Sequence, residues 1–207
     1  MITWQQPDRR IILASGSPRR KELLERMGFS FEIGSSAAID ESAFIAVADL
    51  ESSLCRLALA KGATAAHDNP DALVLSADTI VECEGRVLGK PVDRNDAENM
   101  LRLLSGKCHR VITAVALVCR NAAFSSSSSS TTSVYFRELS DAEINWYLAT
   151  DEPFDKAGAY GIQGYAMLLV EKIEGCFYNV VGLPVSGTVD LFKAFDARKD
   201  LHNVARN

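Results

Sequence analysis

Residues 11–28 read IILASGSPRRKELLERMG, which is an apolar run, a few small residues and an amphipathic segment in direct succession. This order predicts a buried strand, a tight turn and a helix, an alternation that is typical of α/β proteins. We expect Ser17 to be the N-cap of the helix, Pro18 to occupy its first position and Gly28 to end it.

The first turn of this helix carries two cations, Arg19 and Arg20. The N-terminus of a helix favours anions, so each cation there forgoes about 0.3–1 kcal/mol unless a negative group is bound. Free backbone N–H groups, the hydroxyls of Ser15 and Ser17 and the arginine side chains would converge well on one phosphate. An ordinary capped surface helix is the other interpretation, and this segment alone supports both equally.

The composition is that of an ordinary globular protein. The 207 residues, 47% of them hydrophobic, suffice for one sizeable core in a single domain or in two closely joined lobes. A net charge of −5 argues against a general affinity for nucleic acid or anionic membranes. No apolar run reaches about 18 residues, and the N-terminus lacks the apolar core of a signal peptide. We therefore expect a cytoplasmic protein without a nucleic-acid or membrane partner.

Cysteine and histidine offer little for metal or nucleophilic chemistry. The 5 cysteines are odd in number and form no C-x-x-C pair, which favours reduced thiols packed as small hydrophobes. The 3 histidines are too scattered for a zinc site or a His-based triad. Acid–base and metal chemistry must therefore rest on carboxylates.

The rest of the chain alternates between strands and helices. The pattern predicts a hairpin of strands 72–83 and 86–91, a helix at 95–104, strands at 111–119, 134–136 and 167–173, and helices at 140–147 and 185–199. Residues 125–132 are serines followed by two threonines and predict a flexible loop, with a phosphorylation target as the other interpretation. This loop would join two lobes, at about 1–124 and 131–207, of one domain spanning 1–207.

Two charged residues interrupt apolar patterns. Asp78 lies within the apolar strand 72–83, where an unpaired charge is strongly unfavourable. Asp78 therefore requires a partner. The candidates are a divalent metal, Lys90 across the hairpin, Lys61 and backbone donors at the end of the strand. Lys61 continues a helical stripe of leucines that begins at Leu50, and its ammonium either meets such a partner or reaches water.

Two loops hold further candidates. Glu41 lies in a polar loop between the first two helices and is a candidate metal or water ligand, with its neighbour Asp40 as the alternative. Residues 152–164 contain three glycines spaced three apart, which indicates a loop whose backbone closely approaches a ligand. The sequence contains neither a dinucleotide fingerprint nor a P-loop.

Five segments follow one another along the chain: LASGSPRR at 13–20, SADTIV at 76–81, LGKP at 88–91, DKAGAYGIQG at 155–164 and NVVGLP at 179–184. In this order they resemble the Maf family of nucleotide pyrophosphatases, and the resemblance extends over residues 11–192. It implies an α/β fold of the Maf and ITPase-like kind, in which a mixed twisted sheet flanked by helices forms two lobes around a nucleotide-binding cleft.

The resemblance also implies an activity. Maf proteins hydrolyse nucleoside triphosphates to the monophosphate and pyrophosphate with a divalent cation, Mg²⁺ first and Mn²⁺ as the alternative. The GIQG ending of the fourth segment resembles the branch that acts on dTTP and UTP, with modified pyrimidine nucleotides as related substrates, rather than the branch for 7-methyl-GTP. Family members are often homodimers and are linked to inhibition of septum formation. A nucleotide-binding regulator of cell division with little turnover is therefore the alternative function.

The family's site residues transfer onto matching positions of this chain. Asp78 would be the central acid that binds the metal or deprotonates the attacking water, with Glu41 as its assistant and second metal ligand. The remaining residues are Lys61 and Lys90, which would neutralise the triphosphate, and the substrate-binding Ser15, Ser17, Arg19, Thr79 and Gln163. Of these, Gln163 would face the base, because an amide matches the acceptor and donor of uracil or thymine. Relatives usually have Thr-Gly where this chain has Thr113-Ala114, and the alanine methyl opposes a close backbone approach there.

Overall fold

The computed structural model describes residues 7–35 and 39–204. The strands in this part of the chain are β1 Ile11–Leu13, β2 Glu32–Ile33, β3 Leu73–Cys83, β4 Arg86–Leu88, β5 Cys108–Cys119, β6 Phe124–Phe136 and β7 Val170–Glu174. The α-helices are α1 Pro18–Arg26, α2 Leu50–Asp68, α3 Arg94–Leu104, α4 Asp141–Leu148, α5 Phe177–Val181 and α6 Val185–Val204. Short 3₁₀ helices span Glu41–Ala43, Val47–Asp49, Pro153–Asp155, Ala157–Ala159 and Tyr165–Leu168.

The strands form one mixed sheet. Its order is β2-β1-β3-β5-β6-β7, and β4 pairs with β3 beside this path. β1 is parallel to β2 and β3, whereas the other pairings are antiparallel. This arrangement confirms the predicted α/β class with a mixed sheet flanked by helices. The strand predicted at 167–173 begins later, at Val170, because residues 165–168 form a 3₁₀ helix.

Helices cover both faces of the sheet, and the alternation along β3 decides which residues meet which helix. Leu75 and Ala77 belong to the apolar cluster that includes α1 and α6. Ile80 belongs instead to the cluster that includes α2. Because successive strand residues point to opposite faces, Asp78 lies on the α2 face and Thr79 on the opposite face.

The first helix begins and ends as the sequence predicts. Ser17 is its N-cap residue, Pro18 is its first residue, and Gly28 follows it with a left-handed φ of 82°. The side chain of Ser17 makes no capping hydrogen bond. The first N–H groups of the helix are therefore not satisfied by a capping side chain.

The predicted hairpin is present. Glu84 and Gly85 both have positive φ, 52° and 78°, as a two-residue turn between antiparallel strands requires. The ladder pairs Cys83 with Arg86 and Val81 with Leu88, and it ends there. The second strand is therefore shorter than the predicted 86–91, and Lys90 does not pair across the hairpin. Lys90 follows this last pair and reaches the cleft described below.

The loop predicted at 125–132 is wrong, because these residues lie inside β6. The strand pairs with β5 without interruption from Cys119–Phe124 to Cys108–Tyr135. Serine has a low strand propensity, but a long buried neighbour supplies backbone partners for the whole segment. Small side chains also suit this place, since a Cβ built on Gly187 of α6 would lie 3.1 Å from the hydroxyl oxygen of Ser128. A strand of the common sheet, rather than a flexible loop, therefore connects residues 124 and 136.

The cysteines follow the sequence-based expectation. All 5 are free thiols, of which Cys83 and Cys119 are buried and Cys108 is exposed. Among the residues that the structure describes, no helix combines the length and apolar character needed to cross a membrane.

Candidate active site

A cleft of about 850 Å³ lies where the ends of several elements meet. It is lined by residues from α1, α2, β3, the segment after β4, the loop 155–164 and the end of α5. The lining includes all the candidates named from the sequence, which are Ser15, Ser17, Arg19, Glu41, Lys61, Asp78, Thr79, Lys90 and Gln163. The fold therefore brings these separate segments together around one cavity.

Three of the candidates form a hydrogen-bonded group, which we call the acid–lysine cluster: Glu41, Lys61 and Asp78. Lys61 leaves α2 with only 9% of its side chain exposed, and its Nζ lies 2.7 Å from Oε1 of Glu41. The same ammonium donates to Oδ2 of Asp78, whose side chain is 14% exposed. The backbone N–H of Thr79 donates to Oδ1 of Asp78 at 2.9 Å. Both carboxylate oxygens of Asp78 therefore have a donor.

The acid–lysine cluster decides between alternatives that the sequence left open. Of the partners considered for Asp78, Lys61 is the cation in contact, and its ammonium ends on carboxylates rather than in water. Asp40 has another task, because it accepts hydrogen bonds from the backbone N–H and the hydroxyl of Ser42 at 3.1 and 2.6 Å. The hydrogen bond from the Ser42 hydroxyl lowers the pKa of Asp40. Glu41 is thus the acid of this pair that faces the cluster.

Arg20 is a residue of the cleft that the sequence-based assignment did not select. Its Nε donates to the carbonyl oxygen of Gly182 at 2.8 Å, its Nη1 to Oγ of Ser15 at 2.9 Å and its Nη2 to Oγ1 of Thr79 at 3.0 Å. Burial lowers the pKa of Arg20, and the charge of Asp78 opposes this shift. The sequence did signal Arg20, as the second cation in the first turn of α1. That position suggested a phosphate ligand, and nothing in the sequence indicated that one side chain would donate to three separate segments.

The hydrogen bonds continue from Arg20 through β3 and β5. Oγ1 of Thr79 lies 2.9 Å from Oγ1 of Thr113, and Thr113 donates to the carbonyl oxygen of Asn179 at 3.0 Å. We call the series Arg20, Thr79, Thr113 and Asn179 the arginine–threonine chain. It lies on the sheet face opposite the acid–lysine cluster, so the two faces of β3 each carry one polar group of the cleft.

Arg19 points across the cleft instead of into the sheet. Its Nη1 lies 3.1 Å from Oδ2 of Asp155, which begins the fourth of the segments described above. Burial raises the pKa of Asp155, but hydrogen bonds from Lys156 and Arg19 outweigh this effect and lower it. This ion pair links the start of α1 to the loop 155–164.

The glycines of the loop 155–164 make room for side chains of this chain. A Cβ on Gly158 would lie 3.0 Å from Val81, one on Gly161 2.5 Å from Lys156, and one on Gly164 1.6 Å from Oε1 of Glu152. These glycines therefore allow close packing against the protein's own side chains. The approach of this loop to a ligand stays a prediction.

Two hydrogen bonds hold the loop on either side of Gln163. The N–H of Gly161 donates to the hydroxyl of Tyr147 at 3.2 Å, and the N–H of Tyr165 donates to Oε1 of Glu152 at 2.9 Å. Gln163 itself is exposed and lines the cleft. Within the described residues, no hydrogen bond or ion pair involves the side chain of Gln163 or of Lys90.

Ala114, the departure noted in the sequence, fits without strain. It is fully buried, lies opposite Asp78 in the ladder between β3 and β5, and packs in the apolar cluster under α2. Thr113 before it belongs to the arginine–threonine chain. The alanine methyl is thus accommodated in the core.

Comparison with known proteins agrees with this geometry. The profile of the family described as Maf-like protein matches residues 10–195. The chain belongs to the Maf family. Maf-family relatives from Bacillus cereus, Bacillus anthracis and Bacillus thuringiensis subsp. konkukian are each named dTTP/UTP pyrophosphatase. Each is 48% identical over 190 residues, which cover 91% of this chain and 96% of the relative.

The donor chemistry of this Maf cleft fits a magnesium ion that is shared with a substrate. Within the described part of the chain, no three His, Cys, Asp or Glu side chains gather closely enough to hold a metal by themselves. Mg²⁺ usually takes one or two carboxylates and completes its shell with water and substrate phosphates. Asp78 and Glu41 supply two such carboxylates beside one another, because both contact the same ammonium.

Proposed function

We propose that this chain is a nucleoside triphosphate pyrophosphatase that hydrolyses dTTP and UTP to the monophosphate and pyrophosphate. The same cleft would accept modified pyrimidine nucleotides. The observation that carries the proposal is the acid–lysine cluster, in which a half-buried aspartate faces a cleft that also holds Arg19 and Lys90. The names of relatives at 48% identity over nearly their whole length support the same reaction.

The phosphates would bind at the start of α1. The helix N-terminus, the hydroxyls of Ser15 and Ser17 and the guanidinium of Arg19 together form an anion site. Lys61 and Lys90 would neutralise the rest of the triphosphate. Arg19 would exchange its ion pair with Asp155 for the phosphate, or use its remaining N–H groups.

Asp78 would act on the attacking water. Its carboxylate is oriented by the ammonium of Lys61 and the backbone N–H of Thr79, and Glu41 stands beside it. The water oxygen would form a bond to the α-phosphorus while its proton passes to Asp78. The bond from the α-phosphorus to the bridging oxygen would break, and pyrophosphate would leave. The reaction is thus hydrolysis of the phosphoanhydride bond between the α- and β-phosphates.

Asp78 and Glu41 are also the residues that would hold Mg²⁺, or Mn²⁺ in its place. When bound, the ion would neutralise the charge that develops on the phosphates and on the leaving pyrophosphate.

Gln163 would read the base. Within the described residues its amide has no hydrogen-bond partner, and Gln163 lines the cleft. An amide offers one acceptor and donors, which match the N3–H and carbonyl oxygens of uracil and thymine. A homodimer, a cytoplasmic location and a link to septum formation are further expectations from the family resemblance.

The test is an assay of the purified protein with Mg²⁺ and dTTP, UTP, CTP, 7-methyl-GTP and ITP, in which pyrophosphate and orthophosphate are measured separately. We expect pyrophosphate from dTTP and UTP. Pyrophosphate from another nucleotide alone would retain the reaction and contradict the base assignment. Nucleotide binding without turnover across the panel would favour the regulator of cell division instead.

A further inference from the structure

The donors and acceptors of the arginine–threonine chain can each be assigned. A hydroxyl group has one proton to donate. Thr113 uses its proton on the carbonyl oxygen of Asn179, which can only accept. In the pair formed by Thr79 and Thr113, Thr79 must therefore be the donor. Since Arg20 donates to the oxygen of Thr79, the hydrogen bonds run in one direction, from Arg20 through Thr79 and Thr113 to Asn179.

This direction limits what Thr79 can offer a substrate. Its hydroxyl proton is taken by Thr113, and its oxygen already accepts from Arg20. A phosphate oxygen only accepts hydrogen bonds, so the Thr79 hydroxyl has no proton left for one. Thr79 would instead orient Asp78 through its backbone N–H. Its hydroxyl oxygen would help to hold the guanidinium of Arg20 in place.

Ser15 is in the opposite situation. Its oxygen accepts from Nη1 of Arg20 at 2.9 Å and from the backbone N–H of Ser17 at 3.3 Å. Both lone pairs are therefore engaged, and the proton is the one function that remains. Within the described residues no acceptor takes that proton, and Ser15 lines the cleft.

We propose that Arg20 is a positioning residue that makes Ser15 a hydrogen-bond donor to a substrate phosphate. By donating to the oxygen of Ser15, Arg20 turns the hydroxyl proton towards the cleft. By donating to Gly182 and Thr79 as well, it holds α1 against β3 and the end of α5. This inference rests on the proposed function, because it assigns the acceptor on the substrate as a phosphate oxygen.

The test is a double-mutant cycle with Ser15→Ala and Arg20→Lys. Lysine keeps the charge of Arg20, but one ammonium cannot reach the acceptors that the guanidinium spans. The readouts are Kd for the α,β-methylene analogue of dTTP, which resists cleavage at that bond, and kcat and KM for dTTP. We expect each single variant to weaken analogue binding about tenfold. We expect the double variant to be no more than about threefold weaker than either, because Arg20 acts through Ser15.

Two further variants calibrate the cycle. Lys90→Ala removes a proposed phosphate contact that lies after β4 rather than at the start of α1, so its effect should multiply with that of Ser15→Ala to about 100-fold. Arg26 lies on the same helix, pairs with Glu22 and is not among the residues that line the cleft, so Arg26→Lys should change neither Kd nor kcat/KM.

Several outcomes would overturn the proposal. If the effect of Arg20→Lys multiplies with that of Ser15→Ala, as the effect of Lys90→Ala does, Arg20 contacts the substrate itself. If it lowers only the melting temperature and leaves Kd and kcat/KM unchanged, its role is structural. Should Arg20→Lys fail to fold, Arg20→Gln takes its place in the cycle. Wild-type protein that binds the analogue without releasing pyrophosphate from dTTP would contradict the enzyme function alone, since the Kd cycle would still decide the role of Arg20.

Discussion

Asp78 and Thr79 are neighbours in β3, and their side chains serve different faces of the sheet. Asp78 meets Lys61 on the α2 face, and Thr79 meets Arg20 and Thr113 on the other. A carboxylate that is largely removed from water is unfavourable unless it is paired and hydrogen-bonded, and the half-buried Asp78 is both. At the scale of single residues, the site is therefore a charged pair and a directional hydrogen-bond chain that share one strand.

We expect Asp78→Asn to lower kcat for dTTP by at least about 10²–10³. The amide cannot take a proton from water, whereas its oxygen can still accept from Lys61. The melting temperature should fall by several degrees, because the amide NH₂ cannot accept and either Lys61 or the N–H of Thr79 loses its acceptor, and thermal unfolding measures this. Asp151→Asn, which changes the same charge at an exposed position, is the matched control. Wild-type turnover by Asp78→Asn would remove this residue from the centre of the mechanism.

A second prediction concerns the buried His109. Its Nε2 lies 2.8 Å from the hydroxyl of Tyr160, which lines the cleft. Burial lowers the pKa of His109 from its ordinary 6.5 to about 4, and the charge of Glu82 opposes this shift. The unfolded chain thus binds a proton at higher pH than the folded one. The stability that His109 contributes is fully present above pH 6.5 and is lost as the pH falls towards 4.

Urea unfolding of wild type and His109→Gln between pH 4 and 8 would check this. The difference between their free energies of unfolding should change by on the order of 3 kcal/mol over that range, with the wild type losing more at low pH. If the free energies of unfolding of the two proteins change with pH in parallel, the imidazole of His109 is not buried in its neutral form.

At the scale of elements, β6 is the part of the fold that local sequence misjudged. A run of serines carries no periodicity and little strand propensity, so nothing local distinguishes it from a loop. β5 decides the matter, because its whole length offers backbone partners to β6. The small serine side chains then allow α6 to approach closely at Gly187.

We expect Ser128→Val to destabilise the protein by about 1–3 kcal/mol, because the larger side chain meets α6 at Gly187. Ser129→Val, at an exposed position of the same strand, should stay within about 0.5 kcal/mol of the wild type. Chemical unfolding of both variants measures the difference. Equal small effects at the two positions are what a flexible loop would give.

The loop around Gln163 supports another prediction at this scale. In Gly164→Ala the new methyl would overlap the carboxylate of Glu152, which holds the N–H of Tyr165. The loop must shift, so kcat/KM for dTTP should fall at least about tenfold and preference over CTP should weaken. Gly161→Ala should do less, because its neighbour is the flexible stem of Lys156. If Gly164→Ala keeps the wild-type preference for dTTP over CTP, this loop does not take part in base recognition.

At the scale of the whole molecule, the cleft depends on contacts between segments far apart in the chain. Arg20 bonds to Gly182, and Arg19 to Asp155, so α1 is tied to both later segments. A ligand that bridges these segments should stabilise the fold, by about 2.7 kcal/mol at a concentration 100 times its Kd.

For the wild type, the α,β-methylene analogue of dTTP with Mn²⁺ or Mg²⁺ should therefore raise the melting temperature by about 5–10 °C. Removal of the metal with EDTA should abolish most of this shift, and in the wild type it should stop pyrophosphate release. An equal shift of the wild-type melting temperature with and without EDTA would contradict a metal shared between the protein and the phosphates.

The sequence alone determined the α/β class, the hairpin at Glu84-Gly85, the limits of α1 and the membership in the Maf family. These features depend on local sterics, on periodicity and on short ordered segments, all of which can be read along the chain. Only the tertiary structure decided that Lys61 is the partner of Asp78, that Arg20 donates to three separate segments and that residues 125–132 form a strand. Each of these depends on which distant segment the sheet brings near, and pairing across the sheet outweighs local propensity.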